Sequence, residues 1–256
     1  MQVDLLFDPF GARWSDVRDG ALAAEEAGFD GVWLYDHLAG SVHGASRVLE
    51  CWTTLTAIAA TVPRIALGPL VLNVANRDPG VLGVMAATLQ EVSGGRLLLG
   101  LGAGGGPETP YAAEQEALGR TVPGSAARRG AVEEAVATLR ATWSGTVAGV
   151  SGFLRPQPPP PVILGGFGPK MAELAGRVAD GMNAPGGGGL GELIKVAHEA
   201  CARSGRDPDS FLVTASAGLA PNEHLRLAEA GVHRVILHVR PPYRDGVRRA
   251  RDAVGG

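Results

Sequence analysis

Apolar residues fall into two alternating rhythms along this chain. Short runs at Val3–Phe7, Gly31–Tyr35, Ile65–Leu72, Arg96–Leu101, Pro161–Gly165, Gly181–Ala184, Phe211–Leu219 and Arg234–Val239 are nearly continuous rather than alternating with polar residues. That is the pattern of parallel strands buried on both faces. Between them lie stretches with helical spacing. Ser15 stands where it would cap a helix carrying Val17, Ala21, Leu22 and Ala24 and ending at Gly28. Further helices are expected over Leu49–Val62, from Asp78-Pro79 to Val92, and over Ser125–Trp143, Lys170–Val178, Leu190–Ser204, Glu223–Ala230 and Arg244–Val254.

Eight such runs in alternation with helices imply right-handed βαβ crossovers and a parallel sheet. The expected fold is therefore α/β, a single (β/α)8 TIM barrel domain over residues 1–256, a length close to the roughly 250 residues such barrels use. An open doubly wound sheet is the alternative, but it would leave polar edge strands, and the runs show none. Two stretches break the rhythm. Residues 102–124 are long, Gly-rich and weakly patterned, and residues 145–161 end in Pro156-Gln157-Pro158-Pro159-Pro160-Pro161, a stiff lead into the next strand. The first follows a strand on the side where barrels build their sites, so it is either a lid or a surface excursion without chemistry.

Composition narrows the function classes. Hydrophobic residues make up 45% and charged residues 19%, an ordinary globular balance, and a net charge of -3 gives no reason to expect nucleic acid or an acidic membrane as partner. Cys51 and Cys201 lie far apart, match no metal spacing and read as reduced, buried thiols. The segment Met1–Phe7 lacks the basic leader and apolar core of a signal peptide, and no stretch reaches the ~18 apolar residues of a membrane span. A cytoplasmic protein acting on a small molecule is the expectation.

Three constellations could carry chemistry. Leu34-Tyr35-Asp36-His37 ends the second strand, where a carboxylate beside an imidazole can orient and charge it for proton transfer. The plain alternative is that Asp36 caps the next segment and His37 is a polar rim residue; position at a barrel strand's C-terminal end favours function. Leu99 to Gly106 satisfies G-x-G-x-x-G at Gly100, Gly102 and Gly105, but Pro107-Glu108-Thr109-Pro110 follows where a dinucleotide site would open a helix. What survives is side-chain-free backbone at Gly102 and Gly104 that something flat can approach. Finally, Val162-Ile163-Leu164-Gly165-Gly166-Phe167-Gly168-Pro169-Lys170 runs from strand through glycines into a helix. Free N–H groups, the positive helix end and Lys170 make an anion site there, unless it is an ordinary turn.

The remaining histidines, His43, His198, His224, His233 and His238, show no metal spacing. His198 and His224 read as solvated helix residues, and His238 as a rim residue at the end of the eighth strand. The arginines after Arg240 are interleaved with Asp245 and Asp252 and read as a solvated helical face.

Several blocks, in order, resemble luciferase-like flavin or deazaflavin oxidoreductases, the luciferase-like monooxygenase family, and within it the coenzyme F420-dependent branch. They are Ala24 to His37, Ala87 to Gly104, Pro161 to Gly166 and Gly176 to Asn183; beyond Asn183 only the βα plan supports the likeness. The resemblance implies a flavin or deazaflavin ring over the barrel mouth with its phosphate near Gly165-Gly166. It implies Asp36 and His37 near the reacting face, with His37 exchanging the proton that accompanies hydride transfer. A non-prolyl cis peptide is expected in Gly68-Pro69-Leu70-Val71, where Pro69 and Leu70 would back the ring, and Asn73 and Asn76 would bond its tail or edge. Gly165, Gly166, Gly168 and Lys170 would hold the phosphate. Some relatives carry an acid where Gly105 stands here; Glu108 could replace it only if the loop folds back, so sugar-phosphate oxidation is not expected. The resemblance thus implies an F420-dependent oxidoreductase, a homodimer, acting on a small organic substrate. An FMN-dependent monooxygenase is the alternative, and a barrel that binds cofactor without turnover a third reading.

Overall fold

The computed structural model describes residues 1–254. In chain order its elements are β1 (Gln2–Phe7), α1 (Trp14–Glu26), β2 (Gly31–Leu34), α2 (Cys51–Thr61), β3 (Ala66–Pro69), β4 (Leu72–Asn73), α3 (Pro79–Val92), β5 (Leu99–Gly102), α4 (Ala112–Ala117) and α5 (Ser125–Ser144). They continue as β6 (Val162–Gly165), α6 (Pro169–Val178), β7 (Gly181–Pro185), α7 (Leu190–Arg203), β8 (Leu212–Ala217), α8 (Pro221–Glu229), β9 (Arg234–Val239) and α9 (Tyr243–Val254).

All neighbouring strands are parallel, in the order β3-β2-β1-β9-β8-β7-β6-β5-β4. The two ends of that order, β3 and β4, are consecutive in the chain, and a parallel bridge between Leu67 and Leu97 ties β3 to the approach of β5. The sheet thus curls round as the expected TIM barrel, with nine strand segments in eight positions. The single run Ile65–Leu72 is two segments because Leu70–Val71 is a cis peptide that interrupts the ladder. A cis bond in this stretch is what the family likeness implied.

Two cores follow from this geometry. The larger lies between strands and helices and includes Phe7, Val32, Leu55, Leu67, Leu101 and Val136. The smaller fills the barrel interior with Leu6, Trp33, Leu70, Ile163 and Ile236. Continuous apolar strands serve both, which is why they lack polar alternation. At the barrel's N-terminal floor Asp4 accepts from Arg234 Nε and Nη2 at 2.7 and 2.6 Å and from Trp33 Nε1 at 2.8 Å.

Helix starts follow local chemistry. Asp78 accepts from the Val81 N–H with Pro79 in the first turn, as its sequence implies. Ser15 is not a cap: α1 begins at Trp14, and Asp16 accepts from the Arg13 N–H instead. Nor are His198 and His224 solvated. His224 is buried with Nε2 2.7 Å from the Gly218 carbonyl, and His198 Nε2 is buried without a partner, its ring edge-on to Phe211. Cys51 and Cys201 are buried free thiols, and burial pushes the Cys51 thiol up. No helix among the described residues is long and apolar enough to cross a membrane.

Candidate active site

The C-terminal strand ends open into a cavity of about 910 Å³. His37, three residues beyond Leu34 at the end of β2, stands on its wall. Opposite it is a residue that sequence reasoning passed over. Glu114 Oε2 lies 3.1 Å from His37 Nδ1, while Oε1 accepts from the Leu38 and Ala39 N–H groups at 2.9 Å each. Glu114 is buried and sits on α4, inside the stretch 102–124 that looked unpatterned. The stretch therefore folds back as a lid. Gln115 donates to Asn76 Oδ1, Arg120 to the Ala75 carbonyl, and Arg128 to the Ala103 and Gly104 carbonyls, fastening both ends. Glu108, considered as a stand-in for the acid missing at Gly105, is exposed on the cavity rim. The only sequence signal for Glu114 was an acid inside a short Ala-rich segment, which a helical period cannot flag in six residues.

Asp36 does not orient His37. Its side chain has no exposed surface and faces away, accepting from Asn73 N at 3.0 Å, Asn76 Nδ2 at 3.0 Å and both terminal nitrogens of Arg77 at 3.0 and 2.9 Å. Arg77 also bonds Glu50, the N-cap of α2. Two carboxylates raise the Arg77 pKa despite its burial. Burial pushes the Glu50 carboxyl up, but hydrogen bonds from Thr53, Trp52 and Arg77 outweigh it and hold the group below the usual range. Asp36 thus ties the third strand position to the second. The expectation that it charges the imidazole is corrected by its geometry: the partners that neutralise it lie behind the site.

The floor of the cavity is built around Val71. Cβ atoms on Gly100, Gly102 and Gly165 would run into its side chain, on Gly100 also into the Pro69 carbonyl. The missing side chains of the glycine run therefore seat Val71 rather than leave an empty slot. Leu70 and Val71 form an apolar wall of the cavity, whereas Pro69 is buried beneath and does not line it. Gly104 (φ +67) packs on the Asn73 amide, and Asn73 lines the cavity. Asn76 is consumed by Asp36 and Gln115 and does not reach the cavity.

Gly165, Gly166, Gly168 and Lys170 all line the cavity, at the N-terminus of α6. The N-terminus of α5 opens beside them with Ser125 and Arg129. Neither Arg129 nor Lys170 has an ion-pair partner among the described residues. Two helix N-termini and two cations line the same cavity, on neighbouring strand positions β5 and β6, an arrangement suited to an anion. No group of three or more His, Cys, Asp or Glu is gathered for a metal among the described residues.

His37 itself is 17% exposed and sits among rings: Tyr111 at 5.0 Å, Phe10 and His43 at 5.3 Å, Tyr35 at 6.3 Å between centroids. Burial raises the Tyr35 phenol, with Asp8 adding to it. On the neighbouring rim His238 Nε2 lies 3.5 Å from Asp8. Burial would raise Asp8, but His238, the Phe10 N–H and Arg240 hold it below the carboxylate range.

Comparisons with known proteins bear on the family and the fold. The family model described as luciferase-like monooxygenase matches residues 5–254. An F420-dependent glucose-6-phosphate dehydrogenase of Nakamurella multipartita is 33% identical over 178 residues, 65% of this chain and 51% of that protein. A 5,10-methylenetetrahydromethanopterin reductase of Methanolobus tindarius is 30% identical over 227 residues, 86% of this chain and 65% of that one. The chain thus spans between half and two thirds of the length of these curated relatives. Among solved structures, an F420-dependent secondary alcohol dehydrogenase in complex with an F420-acetone adduct superposes with a TM-score of 0.85 at 19% identity, covering 99% of this chain and 98% of that one.

Proposed function

We propose that this chain, which belongs to the luciferase-like monooxygenase family, is a coenzyme F420-dependent oxidoreductase moving a hydride between the deazaflavin and a small organic substrate. The observation that carries the reading is the Glu114–His37 pair standing over an apolar wall, with an anion corner in the same cavity. A flat ring bearing a phosphate tail matches that division. Leu70 and Val71 offer the ring a face, and Asn73 a polar edge. The α5 and α6 N-termini with Arg129 and Lys170 offer the phosphate its donors, and Gly168 leaves open space, since a Cβ there would meet nothing within 4 Å. The named activities of the F420-dependent relatives point the same way.

When bound, the deazaflavin would supply the hydride acceptor or donor. The chain's own residues do the rest. Glu114 accepts from His37 Nδ1–H and leaves Nε2 to exchange a proton at the substrate oxygen. Its two further bonds to Leu38 and Ala39 fix the loop that carries the imidazole. With α4 over it the His37 side chain is 17% exposed.

A titration with F420, followed by its fluorescence, with FMN in parallel, tests the reading. Saturable F420 binding that weakens at least about tenfold in Arg129→Ala or Lys170→Ala is expected, a loss of ~1.4 kcal/mol. Tighter binding of FMN would move the chain to the monooxygenase side, and binding of neither would end the proposal. A cytoplasmic homodimer belongs to the same reading. Val81 and Val84 are exposed on α3, and light scattering on the purified protein would report the mass.

A further inference from the structure

We infer that the His37 end of the cavity selects an uncharged carbonyl or alcohol and rejects phosphorylated and carboxylated ones. This rests on the proposed oxidoreductase reading and names its substrate class. The cavity holds three cationic side chains, Arg128, Arg129 and Lys170, and none serves His37. Arg128 is spent on the carbonyls of Ala103, Gly104 and Pro123. Arg129 and Lys170 stand at the helix ends that follow β5 and β6, two and three strand positions round the barrel from β2. The rings of Tyr111 and Tyr35 lie 5.0 and 6.3 Å from that of His37, and Leu6, Leu70 and Val71 add aliphatic surface to the same cavity.

The nearby charges that do exist point the wrong way for an anion. Glu114 is buried against His37, and Asp8 lies on the adjoining rim beside His238. Arg77 is enclosed by Asp36 and Glu50 behind the wall, and Arg240 is 78% exposed outside it. A phosphate or carboxylate placed here would lose its water, meet no arginine or lysine and face carboxylates that already hold the nearby imidazoles, which is a strong selection against it. An uncharged ring or compact carbonyl instead meets aromatic and aliphatic surface and one hydrogen-bonding nitrogen. In the oxidative direction His37 Nε2 would take the substrate's O–H proton, the bound deazaflavin would take the C–H as hydride, and the carbonyl would be the product.

Matched probes test the inference on the full chain. Cyclohexanone, 4-oxocyclohexanecarboxylate and glucose 6-phosphate are compared by saturation-transfer NMR on the cofactor-free protein and by turnover with F420. Preference for cyclohexanone over its carboxylate of at least about tenfold is expected, and Tyr111→Lys should narrow that preference while F420 affinity is unchanged. Equal or better use of either anion, or absence of any cyclohexanone binding, would overturn it. Failure of F420 to bind in the substrate-free titration would remove the cofactor reading instead, and the NMR comparison would still judge the pocket.

Discussion

Glu114 Oε2 and His37 Nδ1 lie 3.1 Å apart, and the same carboxylate holds the Leu38 and Ala39 N–H groups. A carboxylate can only accept, so the neutral imidazole keeps its proton on Nδ1 and presents Nε2 as an acceptor. In Glu114→Gln the amide oxygen can still hold the loop, but its NH2 would donate to Nδ1 and reverse the tautomer. Nitrogen-15 shifts of the neutral His37 ring should report that reversal. Turnover should fall about 10²-fold with KM for the cofactor unchanged. Full turnover in a variant whose tautomer has reversed would remove Glu114 from the mechanism.

Asp36 and His37 are adjacent in sequence and opposite in role, which separates them by experiment. Asp36→Asn takes the negative charge from a fully buried side chain that Arg77 grips with two bonds. Urea unfolding should show a loss of ~3–5 kcal/mol, the cost of breaking a buried pair. His37→Ala should lose turnover by about 10²-fold or more yet cost only about 1 kcal/mol of stability. If Asp36→Asn proves as stable as the unaltered chain, the hub reading is wrong.

Much of this was legible before any coordinates. Alternation of continuous apolar runs with helical ones suffices for the barrel, because strands buried on two faces cannot alternate. The strand ends at Leu34, Gly102 and Gly165 then put His37 and the glycine turns at one mouth. What stayed hidden depends on side-chain direction. Adjacency in sequence does not set side-chain direction past a strand end: Asp36 turns to Asn73, Asn76 and Arg77, while His37 turns to Glu114. Glu114 and Arg129 reach the site from elements distant in sequence, where no local spacing marks them. Glycine in the sequence suggests room for a ligand, yet what closes on Gly102 and Gly165 is the Val71 side chain, and on Gly100 the Pro69 carbonyl.

Glu50 couples stability to acid. Its carboxyl is held below the usual range in the folded protein, because bonds from Thr53, Trp52 and Arg77 outweigh burial. A group depressed on folding contributes above its unfolded value, about 4.3, and that contribution is lost as pH falls through the folded one. Glu50→Gln should therefore be less stable than the unaltered chain at neutral pH, with the gap closing as the solution is taken below about pH 4. Thermal melts across that window read it directly. A gap that stays constant with pH would mean that the charge of Glu50 adds nothing to folding.

The far end of the barrel offers a control on all of these. Asp4 and Arg234 form a two-bond pair inside β1 and β9, with Trp33 Nε1 as a third donor, and a Cβ on Gly31 would meet Asp4 Oδ1 at 2.7 Å. Gly31 is thus small because the ion pair fills the floor. Arg234→Met strands a buried carboxylate and should cost ~3–5 kcal/mol in unfolding, while Asp4→Leu combined with Arg234→Met should recover much of that, since an apolar pair needs no counter-charge. Neither variant touches the mouth, so turnover per folded molecule should be unchanged in both. A double variant no more stable than Arg234→Met alone would mean that the pair's shape, and not its charge, holds the floor; lost turnover in folded protein would mean that the floor transmits to the His37 wall through Trp33 and Leu6.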